Sequence, residues 1–267
     1  MWIKHSLPNL IQTEYVSRLV IRPGGIGDVI VSLPALQLLA GPGDEVWTPA
    51  RTVPLIRFAT ARAISDTGLD LLGVTEPPPN LVERLRRFDS IVSWYGANRA
   101  EFREDVAALG LPFTFLPALP TGGTVHATDF YLHQVRPLAS DAEIDPVPRI
   151  HCDVPRANYA VIHPFSGSPG KNWPLENFRK LAAELECEMP VRWCAGEDDP
   201  PLDGAVRISD LYELARWLAG ASLYAGNDSG ITHLAAAVGT PVLAFFGPTD
   251  ATVWAPRGPN VRIGYWR

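Results

Sequence analysis

One stretch, LVIRPGGIGDVIVSLPALQLL (Leu19–Leu39), constrains the fold more than any other part of the chain. A short apolar run meets a glycine-rich turn and then an apolar segment long enough for a helix. That order is the signature of a βα unit in a parallel sheet buried on both faces. The same grammar returns later. Tyr159–His163 reads as a strand followed by a helix over Pro174–Glu186, with proline in its first turn, where no N–H is missed. Ser222–Ala225 reads as a strand followed by a helix over Ile231–Val238, with Gly239 as its left-handed C-cap. Further strands are expected at Arg18–Arg22, Glu45–Trp47, Ser90–Trp94, Val191–Cys194 and Val242–Phe246, and a further helix at Leu211–Ala219. Between the two sets, Asp141–Pro155 carries Pro146, Pro148 and Pro155 and little periodicity, so it is the linker. The expected fold class is α/β, with two Rossmann-like domains, 1–150 and 151–267, facing a central cleft.

Composition narrows the function classes. The chain has 267 residues, enough for two domains, and 46% of them are hydrophobic, as a folded core requires. A net charge of −6 argues against broad nucleic-acid binding, which needs clustered cations, but leaves room for a local basic pocket. Lysine occurs only at Lys4, Lys171 and Lys180, so a lysine inside a glycine-flanked loop stands out. Cys152, Cys187 and Cys194 show neither metal-ligand spacing nor an even disulfide framework, which suggests a reducing compartment. Met1–Arg18 has no apolar leader core, and the uncharged stretch Ser229–Thr249 is broken by Gly239, Pro241, Gly247 and Pro248. The expectation is a cytoplasmic protein without a membrane span. Arg84, Arg86 and Arg87 read as a solvated helix face, with peripheral docking at the inner face of a membrane as the alternative.

Four loops hold residue types suited to a phosphorylated sugar. The first, Arg22–Asp28, sets Gly25 and Gly27 before a helix over Val29–Leu39; Asp28 either caps that helix or deprotonates an acceptor hydroxyl. It lacks the full dinucleotide-binding spacing. The second, His163–Pro174, carries Ser166, Ser168 and Lys171, where main-chain donors and one ammonium group suit a diphosphate; the alternative is a solvated lysine on a turn. The third, Gly226–Gly230, offers Asn227, Asp228, Ser229 and Gly230 at a helix N-terminus, with His233 one turn on. Asp228 repels a diphosphate directly and therefore suits the orientation of neighbouring groups or of a sugar hydroxyl; His233 is either a ligand or a satisfied core residue. The fourth, Gly196–Asp199, places Glu197 where a carboxylate accepts ribose hydroxyls, whereas Asp198 and Asp199 read as a solvated acidic loop. No spacing for a metal cage is present.

Together these segments resemble glycosyltransferase family 9, the heptosyltransferase-like proteins acting on lipopolysaccharide core. The resemblance rests on Leu19–Leu39, HPFSGSPGKNWPLENFRKLAAEL (His163–Leu185) and AGNDSGITHLAAAVGTPVLAFFGPTD (Ala225–Asp250), with HATDFYLHQV (His126–Val135) before the linker. It implies a GT-B fold, with the acceptor on the N-terminal side and the nucleotide sugar on the C-terminal side. It implies inverting, metal-independent transfer, typically from an ADP-activated heptose to a glycan or glycolipid acceptor, completed by domain closure. Asp28 then matches the family's catalytic base, Lys171 its diphosphate-contacting lysine and Glu197 its nucleoside-contacting acid. Asp228, Ser229, Gly230 and His233 match the donor loop and its helix. The chain departs from the family by ending soon after Gly247–Asp250, so the customary C-terminal extension is expected to be missing. Trp94–Gly123 shows no acceptor-binding pattern. Two other classes stay open: a non-catalytic nucleotide-sugar-binding protein, and an epimerase or hydrolase of nucleotide sugars.

Overall fold

A computed structural model of the protein describes residues 17–120, 123–139 and 142–266. The reading of the first residues as lacking an apolar leader core lies outside these, Ser17 and Arg18 excepted. β1 (Arg18–Ile21) leads through the glycine loop into α1 (Ile26–Leu39), whose apolar residues are buried almost end to end. β2 (Glu45–Thr48), β3 (Thr60–Ala63), α2 (Pro79–Leu85), β4 (Ser90–Ser93), α3 (Ala100–Ala108), β5 (Phe113–Phe115) and α4 (Ala127–Val135) follow. The five strands form one parallel sheet in the order β3-β2-β1-β4-β5.

A second parallel sheet repeats the scheme. Its elements are β6 (Ala157–His163), α5 (Leu175–Leu185), β7 (Val191–Trp193), α6 (Leu211–Ala219), β8 (Ala221–Asn227), α7 (Gly230–Ala237), β9 (Val242–Phe246), α8 (Ala251–Trp254) and β10 (Val261–Tyr265). The order is β10-β9-β8-β6-β7. The α/β class and paired parallel sheets are as expected, and the cap at Gly239 has φ +82.

Three differences from the sequence reading have plain causes. β3 and β5, with sequences TARA and FTF, are too short to show a pattern and owe their extended form to pairing with β2 and β4. β8 runs two residues beyond Ala225, because Gly226 and Asn227 continue to pair with Ala244 and Phe245 of β9. The arginine face is not intact: Arg84 turns inward to Glu45, with Nη2 3.1 Å from its carboxylate oxygen and its guanidinium over the Trp47 ring.

The two sheets share one apolar core. Val29, Ile30, Leu33 and Leu36 of α1 and Tyr131 of α4 belong to the same buried cluster as Leu214 and Leu218 of α6 and Leu234–Ala236 of α7. Polar straps reinforce it at the edges. His126 Nε2 lies 2.9 Å from the carbonyl oxygen of Ala255, and Arg257 donates to Asp129 at 2.7 Å. Among the described residues no helix is long and apolar enough to cross a membrane.

Candidate functional site

In an open parallel sheet, ligands bind beyond the carboxyl ends of the strands, where the strand order reverses direction. The first sheet reverses between β1 and β4, the second between β6 and β8. The glycine loop after β1 and the loops after β6 and β8 therefore face one another. Between them lies a cleft of about 650 Å³, lined by all four loops singled out in the sequence. That volume suits a nucleotide-sized molecule.

The cleft floor is where two helices start. α1 and α7 meet so closely that a Cβ on Gly230 would lie 2.7 Å from Ile26 Cβ and 2.9 Å from the Gly27 nitrogen. Only glycine fits there. On the first wall, α1 begins after Gly25, and Asp28 occupies its third position instead of the cap itself. Its Oδ2 accepts the Gly25 N–H at 2.8 Å, half of a capping box that glycine has no side chain to complete. Capping thus engages one carboxylate oxygen. Oδ1 takes no hydrogen bond among the described residues, and the side chain lines the cleft.

The opposite wall is cross-linked. Lys171, at the end of a 3-10 turn (Pro169–Lys171), extends its ammonium group to within 2.8 Å of Asp228 Oδ2. Asp228 is buried and Lys171 half-buried, so the aspartate holds the cation in place while two of its three N–H donors stay available. Ser166 Oγ donates to Asn172 Oδ1 at 2.7 Å and so orders the loop on which Ser168 is exposed. Ser229 is the α7 N-cap and its side chain accepts the Thr232 N–H. The N–H groups of Gly230 and Ile231, ahead of Thr232, have no protein partner among the described residues and belong to the positive end of the helix. His233 also lines the cleft; burial pushes its imidazole down to about pH 4, so it is neutral near pH 7.

Asn227 corrects the expectation for the third loop. As the last residue of β8 it is fully buried, and its side chain does not line the cleft. Its Oδ1 accepts the Trp173 N–H at 2.8 Å and its Nδ2 donates to the Pro164 oxygen at 2.7 Å, pinning both ends of the second loop.

The fourth loop needs correcting too. Asp199 is not solvated: its Oδ2 accepts the Gly196 N–H at 2.6 Å and lies 3.0 Å from His163 Nε2. Partial burial raises its pKa, but the His163 and Gly196 hydrogen bonds outweigh that and hold it below the usual carboxylate range. Asp198 meets Arg51 Nη2 at 2.7 Å, and Glu197 lies 3.8 Å from the same nitrogen. Arg51 comes from the 3-10 turn Ala50–Leu55 of the first half, so this contact spans the cleft mouth. Leu119 and Trp254 add apolar surface to the rim.

The cleft thus gathers Gly25, Gly27, Asp28, Ser166, Ser168, Lys171, Glu197, Asp228, Ser229, Gly230 and His233, leaving out Asn227. Sequence reasoning missed His163, Arg51 and the buried Arg22. Only the position of His163, closing a strand before a glycine loop, gave a signal. Among the described residues no set of three His, Cys, Asp or Glu is grouped to hold a metal ion.

Comparison with known proteins agrees with this architecture. Over 157 residues the chain is 28% identical to lipopolysaccharide heptosyltransferase 3 of Escherichia coli K12, covering 52% of this chain and 45% of that one. Over 125 residues it is 31% identical to lipopolysaccharide heptosyltransferase 1 of Salmonella typhimurium, covering 42% and 39%. The matched stretches therefore span less than half the length of these curated relatives. Among solved structures, the glycosyl transferase family 9 protein of Veillonella parvula superposes with TM-score 0.71 at 16% identity, over 94% of this chain and 86% of that one. The E. coli heptosyltransferase WaaC with ADP gives TM-score 0.63 at 19% identity, over 94% and 93%. These likenesses identify the fold as GT-B. The model of glycosyltransferase family 9 (heptosyltransferase) matches residues 124–265, more than half of the sequence, and the chain belongs to that family.

Proposed function

We propose that this glycosyltransferase moves a heptose from an ADP-linked donor to a hydroxyl of a lipopolysaccharide-type glycan, with inversion and without a metal, and that its two sheets are separate domains parted near residue 150. One observation carries the reading. A carboxylate from one sheet, and an ammonium group with unpaired helix N–H donors from the other, line the same cleft. The diphosphate lies against Lys171 and the Gly230 and Ile231 amides, and Glu197 accepts the ribose hydroxyls. The acceptor oxygen attacks the anomeric carbon as Asp28 takes its proton, and the bond to the diphosphate breaks with its electron pair. Lys171 and the amides stabilise the charge that builds on the leaving group, an effect of about 3 kcal/mol per well-aimed donor. ADP is bound in the WaaC structure that shares this fold, which supports the choice of nucleotide. Since the two halves share an apolar core, water exclusion rests on the loops at the cleft mouth instead of a wide hinge motion.

Calorimetry with ADP, UDP and GDP, followed by product analysis with ADP-heptose, tests this. ADP binds tightest on this reading, and the sugar appears on a glycan acceptor with inverted anomeric configuration. Failure of every nucleotide to bind removes the reading. Release of free heptose that outpaces transfer at saturating acceptor makes the chain a hydrolase instead.

A further inference from the structure

Arg22, the residue after β1, is enclosed by the fold with 1% of its surface exposed. Its Nε donates to Ser32 Oγ at 3.0 Å and its Nη2 to the main-chain oxygen of Asp28 at 2.9 Å. The guanidinium carbon lies 4.4 Å from the centre of the Tyr131 ring and 5.6 Å from that of Trp94. Among the described residues no carboxylate comes within ion-pair distance of it. In the cleft, by contrast, the buried Asp228 has Lys171 as its counter-charge. A buried cation held by neutral groups alone is a poor stabilising device, because an apolar side chain of similar volume serves the core as well or better. Aromatic faces offset only part of the desolvation. The charge therefore calls for another role.

Its surroundings supply one. The bonds of Arg22 to the Asp28 main-chain oxygen and to Ser32 Oγ tie the end of β1 to the first turns of α1, and from that segment the Asp28 side chain lines the cleft, with one carboxylate oxygen on the Gly25 N–H. We propose that Arg22 is a positioning residue for Asp28: its guanidinium fixes the first turn of α1 and so keeps the carboxylate aimed into the cleft. This inference rests on Asp28 acting as the base.

The test compares Arg22→Met, Arg22→Lys and Asp28→Asn with the parent protein. Thermal unfolding and ADP affinity are recorded, and ADP release from ADP-heptose is followed with water as the attacking hydroxyl. Arg22→Met is expected to fold and bind ADP as the parent does. ADP release slows roughly tenfold or more, as a misplaced base implies, so kcat falls while ADP affinity holds. Arg22→Lys keeps the charge without the directed fork, so turnover drops there as well. Unchanged turnover in folded Arg22→Met overturns the proposal, as does a loss of ADP affinity equal to the loss of rate. If Arg22→Met does not fold, parent-like turnover in Arg22→Lys overturns it. Asp28→Asn separates the two layers of argument. Parent-like turnover there sinks the base assignment itself, whereas a dead Asp28→Asn beside an unimpaired Arg22→Met sinks only the role of Arg22.

Discussion

The two walls of the cleft are built from the same strand–loop–helix unit but braced differently. On the first wall the loop after β1 is half glycine, and the Asp28 side chain just beyond it is tied to one backbone N–H, that of Gly25. On the second, Asn227, Asp228, Ser166 and Asp199 each hold a neighbouring loop or side chain in place. The family model begins at residue 124 and so spans the braced wall but not the first sheet. Pre-organised donors are most effective when their geometry is locked by supporting hydrogen bonds. On the proposed reading, the wall that receives a constant diphosphate is rigidly built, and the wall that receives the acceptor is free to differ.

The largest effect separates the walls by kinetics. Asp28→Asn keeps the side-chain shape and removes the base, so turnover is expected to fall about 10²–10⁴-fold. ADP affinity, set by the opposite wall, stays at the parent value. Calorimetry beside steady-state rates checks this; a large loss of ADP affinity in Asp28→Asn means that the walls do not act separately.

Acid provides the next contrast. His233, enclosed in the braced wall, has its pKa lowered from 6.5 to about 4, chiefly by burial; Asp228 and Asp28 oppose the shift, while His126 and Lys171 add to it. The unfolded chain therefore binds a proton between these values that the folded chain refuses. The stabilising contribution of neutral His233 is complete above pH 6.5 and is lost as pH falls toward 4, reaching about 3 kcal/mol at its limit. Urea unfolding at several pH values is expected to show this loss in the parent and a shallower one in His233→Gln. Parallel curves for the two proteins refute it.

Much of this was legible in the chain itself. The run Leu19–Leu39 carries strand, glycine turn and apolar helix within one continuous segment, and the loops after β6 and β8 repeat the scheme. Local grammar of that kind survives folding because both faces of a parallel strand are buried. What escaped was decided by partners distant in sequence. Asn227 has the composition of a loop residue, yet pairing with Phe245 keeps it in β8 and points its amide at loop ends 54 and 63 residues away. Asp199 looks like one of two solvated acids, with Asp198, until His163, 36 residues earlier, closes on it. Arg22 lies in plain view beside the glycines, but nothing local says that Tyr131 and Trp94 will cover it.

Asn227 gives the third prediction, on stability. Asn227→Ala removes two buried hydrogen bonds and leaves the Trp173 N–H and the Pro164 oxygen without their partner, a loss of about 2–3 kcal/mol. ADP affinity is expected to fall as well, because the released loop carries Lys171. Chemical denaturation with ADP titration measures both. Loss of stability with full ADP affinity would show that the bracing serves the fold and not the ligand.

The smallest effect concerns the contact that joins the walls. Arg51 bridges to Asp198 and Glu197 with more than half of each side chain exposed, so water and salt screen the attraction. Exposed pairs of this kind contribute about 0–1 kcal/mol, and Arg51→Ala should leave the melting temperature nearly unchanged. Its effect is on traffic. On the proposed reading Glu197 must turn from Arg51 to the ribose when the donor enters, so the bridge competes with binding. Removing the arginine also strips the cleft mouth of a cation and exposes an incoming diphosphate to Glu197 and Asp198. Both consequences fade with salt: competition in the parent is relieved as the bridge weakens, and repulsion in the variant, the larger of the two because the bridge is exposed and weak, is screened. Stopped-flow ADP binding is therefore expected to be slower in Arg51→Ala at low ionic strength and to converge with the parent as salt rises. A rate difference that persists at high salt would place Arg51 in direct contact with the nucleotide and make the mouth of the cleft part of the donor wall.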